Sequence, residues 1–173
     1  MGNFIEKMEN LTISARSSDG TVVARYIASE GYSVSFEGRI VDSHDDRSLE
    51  ASVTSALTGI RDGFAIFLEK SAQELDGKDS ADRNSSNDSG WDNYLEQIDG
   101  ISVETRSPEG YVKVLIRGDG VLQVRMKPGT VRQVGRGLDQ RRLAANINTA
   151  LNDAFSQYFS VQHQVYLKLQ ADD

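Results

Sequence analysis

The chain has 173 residues, 38% of them hydrophobic and 26% charged, enough apolar surface for one domain or two small ones and too much for a fully disordered chain. No apolar run approaches the roughly 20 residues of a membrane-spanning helix, and the absence of cysteine excludes disulfides, thiolate metal sites and thiol nucleophiles. The net charge of −7 is uneven: residues 1–73 carry −4, residues 74–99 carry −6 and residues 100–173 carry +3, so an anionic partner is expected in the last third.

The opening stretch Met1–Lys7 lacks the basic segment and apolar run of a secretory signal, which together with the missing cysteines gives the expectation of a cytoplasmic protein. Asn3–Asn10 reads as a short helix. Leu11, Ile13 and Ala15 then alternate as the buried face of a strand. Ser18-Asp19-Gly20 supplies a tight turn, with glycine at the φ > 0 position, before a strand carrying Val22, Ala24 and Tyr26. A second turn at Ser29-Glu30-Gly31 leads into Tyr32, Val34 and Phe36. From Leu49 the period changes to 3.6: Leu49, Val53, Leu57, Ile60 and Phe64 line one helix face, with Asp45 or Asp46 as N-cap. Gly59 and Gly63 each weaken that helix by roughly 1 kcal/mol relative to alanine, a cost that fits close approach of another element.

The stretch Glu74–Asp92 is rich in Asp, Ser, Asn and Gly, and its only large apolar residues are Leu75 and Trp91. Residues 74–90 therefore read as an acidic flexible linker, with 77–90 as its solvated part. Its acids lack the alternating spacing and terminal glutamate of a calcium loop.

Beyond the linker the pattern repeats. With a shift of 90 residues, Asn3-Phe4-Ile5-Glu6 falls on Asn93-Tyr94-Leu95-Glu96 and Arg16–Gly20 on Arg106–Gly110. Val22, Ala24 and Tyr26 fall on Val112, Val114 and Ile116, and Tyr32, Val34 and Phe36 on Leu122, Val124 and Met126. Four extra residues near Gly135-Arg136-Gly137 move the shift to 94, so that Leu49, Val53, Leu57 and Phe64 meet Leu143, Ile147, Leu151 and Tyr158. Asp139 lies near the start of this second long helix. The tail Val161–Leu169 suits either a helix or a strand. The expected fold is α+β: two tandem α-β-β-β-α modules, 1–73 and 91–173, with antiparallel sheets. Each module is half of a core, and the pair is expected to close as an intrachain pseudo-dimer, with homodimerisation as the other route.

The residues carry little catalytic chemistry. The two histidines, His44 and His163, have no nucleophile motif beside them, and no phosphate-binding Gly-Lys-Ser/Thr loop occurs, so the chain is expected to be no enzyme and to use no cofactor or metal. Anion binding has more support. Lys113 and Arg117 alternate against Val112, Val114 and Ile116, while Arg125 and Lys127 alternate against Val124 and Met126. If these strands are neighbours, four cations share the solvent face of one sheet. Arg132, Arg136, Arg141 and Arg142 extend the charge towards the second long helix. Such residues contact phosphates without reading sequence. The first copy has no equivalent set.

The order helix, strand, Asp/Glu-Gly turn, strand, Gly turn, strand, long helix resembles the YbaB/EbfC family of small bacterial proteins. The resemblance rests on Ser18-Asp19-Gly20-Thr21-Val22 in the first copy. In the second it rests on Glu109–Val114, Gly118–Val124 and the helical Asn146–Ala154. It implies a dimeric α+β fold, no catalysis, and nucleoid-associated DNA binding. Some actinobacterial relatives of that family belong to type VII secretion loci, which makes a protein-binding adaptor or chaperone the alternative implication. The chain departs from the family in being duplicated and in its short first helices, which are acidic or neutral where family members carry lysines.

Overall fold

The computed structural model describes residues 2–76 and 88–171. Helix α1 (Gly2–Glu9) precedes strands β1 (Thr12–Arg16), β2 (Val22–Ile27) and β3 (Gly31–Phe36), a single-turn α2 (Ile40–Ser43) and a long α3 (Asp46–Asp76). The second half repeats this order as α4 (Asp88–Asp99), β4 (Ser102–Arg106), β5 (Val112–Arg117), β6 (Leu122–Met126), α5 (Thr130–Gln133) and α6 (Gln140–Ala171). The fold is thus α+β, with two similar modules and two antiparallel sheets in the orders β1-β2-β3 and β4-β5-β6.

Several boundaries are now defined. Residues 74–76 complete α3 and Asp88–Gly90 form the first turn of α4, while residues 77–87 of the expected linker lie outside the described residues. The ambiguous tail is helical: the 3.6-residue spacing of Val161, Val165 and Leu169 prevails over the two-residue alternation because α6 simply continues. Asp45 is the N-cap of α3, accepting from Ser48 N at 2.8 Å, while Ser48 Oγ accepts from Asp45 N at 3.0 Å. Asp139 caps α6 by accepting from Arg141 N.

Each long helix serves two sheets. Helix α3 crosses the inner face of β1 and β2 and continues onto β6; α6 covers β4 and β5 and reaches β3. The apolar faces expected from alternation meet there in one shared core, where Val22, Ala24 and Val34 of the first sheet and Val112, Val114 and Val124 of the second are buried with Leu49, Val53, Leu57 and Ile60 of α3 and Leu143, Ile147 and Leu151 of α6. Gly59 and Gly63 explain themselves in this packing. A Cβ at Gly59 would lie 2.7 Å from Ala15 Cβ, and one at Gly63 would lie 2.6 Å from Ile13 Cγ2.

The modules hold each other reciprocally. The Asp46 carboxylate accepts from Gly129 N at 2.5 Å and Val131 N at 2.8 Å, at the start of α5. Its counterpart after the 94-residue shift, Gln140, accepts from Ile40 N at 3.1 Å and donates to Gly38 O at 2.8 Å. Each long helix therefore begins by closing the short helix of the sister module, as a two-fold exchange requires.

Candidate nucleic-acid interface

Alternation buries Val112, Val114 and Ile116 and turns Lys113, Leu115 and Arg117 outwards; it likewise buries Val124 and Met126 beneath Gln123, Arg125 and Lys127. The strands are neighbours. Register places Lys113 directly opposite Arg125 on one side and opposite Arg106 on the other, so three cations form a row across the sheet. Side chains facing each other this way have Cβ atoms about 5 Å apart, and like charges so placed are unfavourable. Glu104 offsets part of that cost, lying 3.4 Å from Lys113 Nζ and 3.8 Å from Arg106 Nη2. One carboxylate between two cations leaves net positive charge, and Lys127 has no ion pair among the described residues. Arg117 pairs with Asp119 in its own turn, and Arg125 lies 3.5 Å from Glu50 of α3.

The structure adds Arg106, which alternation with Val103 and Thr105 turns outwards but does not place opposite Lys113. Its signal was in the hairpin: with Pro108-Glu109-Gly110 as the turn, counting back from Lys113 lands on Arg106.

The remaining four candidates stand apart from this face, on α5, its following loop and the start of α6. Arg142 is committed to structure: its Nε lies 2.9 Å and its Nη2 2.5 Å from the Glu109 carboxylate, which also accepts from Asn146 Nδ2 at 3.2 Å. These partners hold the Glu109 carboxyl below its usual range, the Arg142 hydrogen bond foremost. Arg132, Arg136 and Arg141 are exposed, without ion pairs among the described residues. The candidates thus form two groups: Lys113, Arg117, Arg125 and Lys127 share a face with Arg106, and the arginines of 132–142 do not.

The first module uses the equivalent positions differently. Asp19, the counterpart of Glu109, accepts from Ser17 Oγ at 2.5 Å, Ser52 Oγ at 2.6 Å, Thr21 Oγ1 at 2.8 Å and Thr21 N at 3.0 Å. These donors, Ser17 first, hold its carboxyl far below the ordinary range. His44 is buried against this cluster, Nε2 at 2.7 Å from Thr21 Oγ1 and Nδ1 at 3.1 Å from Ser48 Oγ. Because Thr21 Oγ1 donates to Asp19, its hydroxyl receives the His44 Nε2–H. The cluster ties the first hairpin to α3 as Glu109–Arg142 ties the second to α6. The outer face of the first sheet carries Arg16, Arg25 and Glu37 among Thr12, Ser14, Ser33 and Ser35; Arg16 and Glu37 pair at 2.7 Å. It has no row of cations.

Among the described residues no group of three or more His, Asp or Glu is placed to hold a metal, and no helix is long and apolar enough to cross a membrane. No family model, curated protein or solved structure matches the chain.

Proposed function

We propose that the chain is a non-catalytic, YbaB/EbfC-like protein that binds DNA weakly, with little sequence preference, through the outer face of its second sheet. The observation that carries this reading is the Arg106–Lys113–Arg125 row, an electrostatic cost to the free fold that an anion relieves. A flat strand face offers phosphate contacts and no element that enters a groove, so the binding is sequence-tolerant.

Fluorescence anisotropy with a labelled duplex across a salt series tests it. Each neutralised phosphate changes log K by about −0.9 per decade of salt, so three to five contacts give a slope of roughly −3 to −4.5. Arg106→Glu/Lys113→Glu is expected to weaken binding at least tenfold at low salt and to flatten the slope by about two, whereas Arg25→Glu on the first sheet leaves both unchanged. No binding of the intact chain at low salt overturns the reading. A protein-binding adaptor is then favoured, a role supported by the exposed apolar side chains Ile66, Leu68, Phe159 and Leu167 on the outer halves of α3 and α6.

A further inference from the structure

The longest uncharged run of the sequence is Ala154–Leu167, 14 residues without Asp, Glu, Lys or Arg in a chain that is 26% charged. It lies in the outer half of α6. Ala154 is buried and Phe155, Tyr158 and Val165 pack against the core, which accounts for one side of the run. The other side is open. Ser156, Phe159, His163 and Leu167 follow one another at helical spacing and form an exposed stripe, with Phe159 55% and Leu167 50% exposed. Tyr166, at the edge of the stripe, packs edge-on against Tyr94 of α4 with ring centroids 6.3 Å apart, so α4 flanks the stripe without covering it.

The sister helix shows how this molecule composes the same stripe for water. With the 94-residue shift, Ser156, Phe159 and His163 fall on Asp62, Ala65 and Glu69 of α3, and the matching stretch 60–73 carries Arg61, Asp62, Glu69 and Lys70. Both helices run out beyond their sheets here, so exposure alone does not explain why α6 has no charge and keeps an aromatic ring. Loss of charge with retention of aromatic side chains is the composition of an interface centre. The polar members of the stripe narrow the occupant. The hydroxyls of Ser156 and of Ser160 beside it, and the imidazole of His163 in its neutral form, each carry a donor and an acceptor together, so each can bond a copy of itself.

We propose that this stripe binds a second copy of the chain, the two α6 helices pairing antiparallel about a two-fold axis at His163. A two-fold contact sets groups near the axis against their own kind, so any charge there meets a like charge. The stripe on α6 avoids that cost; the one on α3, with Asp62 and Glu69, and the cation row of the second sheet do not. A partner of different sequence would be selected through charges complementary to its own, and the stripe offers none. Antiparallel pairing sets Phe159 against Leu167 of the second copy, twice over. It also opposes the helix dipoles and carries the two bodies, each of net charge −7, to opposite ends of the contact. The paired segment is about 20 Å long, which places the contact at the small end of specific interfaces and makes the dimer weak. The inference is independent of DNA binding.

Sedimentation velocity of the intact chain, from micromolar to millimolar concentration, is expected to show a monomer–dimer equilibrium. Its dissociation constant is expected to change less than threefold on raising salt tenfold, because no ion pair forms the contact. Phe159→Glu is expected to weaken the dimer at least tenfold, whereas Ile66→Glu, at a similarly exposed position of α3, leaves it within twofold. The chain has no cysteine, so introduced thiols report the geometry without background. Under mild oxidation at millimolar protein, His163→Cys is expected to be captured as a disulfide-linked dimer, since a side chain on the axis meets its own copy. Phe159→Cys alone is expected to stay uncoupled, and Phe159→Cys mixed with Leu167→Cys to give the mixed dimer. A monomer at millimolar concentration, a dimer that Phe159→Glu leaves intact, or cross-linking of Phe159→Cys to itself in place of His163→Cys overturns the proposal.

Discussion

Asn148 and Asn152 each spend one side chain on both backbone groups of a β3 residue, and both sit one helical turn apart, matching the two-residue step of the strand edge. Replacing either by alanine removes two hydrogen bonds to β3 and leaves a partly buried N–H without its acceptor. Asn148→Ala and Asn152→Ala are each expected to cost about 1–3 kcal/mol in urea unfolding, with Thr54→Ala, which caps nothing on β6, costing under about 1. This role was not legible in the sequence. The asparagines stand out there only as part of a family-like helix, while their partners lie 114 and 120 residues away. Short-range relations were legible: the outward set Lys113, Arg117, Arg125 and Lys127 follows from alternation alone. The turn acids give a second residue-level expectation. Asp19 and Glu109 have carboxyls held below their unfolded values by their donors, Ser17 first for Asp19 and Arg142 first for Glu109. Their stabilisation is therefore complete above the unfolded range near pH 4 and is lost as pH falls towards the lowered folded values. Thermal melts from pH 7 to pH 2 are expected to show a shallower acid decline for Asp19→Asn than for the parent chain. An unchanged slope would mean that the turn contributes no proton-linked stability.

At the scale of the element, helix α3 shows how packing overrides propensity. Two glycines in its middle cost about 2 kcal/mol of intrinsic helix stability, yet the helix runs unbroken for 31 residues because those glycines admit β1. On an exposed helix Gly59→Ala would stabilise. Here the added Cβ meets Ala15, and Gly59→Ala is expected to lower the melting temperature by several degrees, with Ala15→Gly restoring part of the loss in the double variant. Additive effects in that pair would refute the contact as the reason for the glycine. Strands, hairpin turns and the apolar faces of both long helices were readable, since each is fixed by neighbours within a few residues. The outer reaches of α3 and α6 were not. A 31-residue helix is about 46 Å long against about 20 Å for a six-residue strand, so its last turns leave the sheet and the periodic signal that burial imposes fades. Strand-like alternation at Val165 and Leu167 then reads as plausibly as helix.

For the whole molecule, neither module owns its core. Helix α3 closes two strands of its own sheet and the edge of the other, α6 does the same in return, and Asp46 and Gln140 fasten the short helices across the junction. The duplication was visible in the sequence, but not this exchange. Periodicity reports which face of an element is buried and is silent on which partner covers it. Such interlocking predicts one cooperative unit in place of two independent domains. Hydrogen exchange followed by mass spectrometry under increasing urea is expected to release the β2 and β5 peptides together, with one midpoint. Asp46→Ala, whose carboxylate lies in the first module and whose partners lie in the second, is expected to lower that shared midpoint for both, by an amount equivalent to roughly 1–3 kcal/mol for two partly buried N–H groups left without acceptor. Release of β5 ahead of β2, with β2 unmoved by Asp46→Ala, would mean that the halves fold separately and that the reciprocal contacts follow folding without driving it.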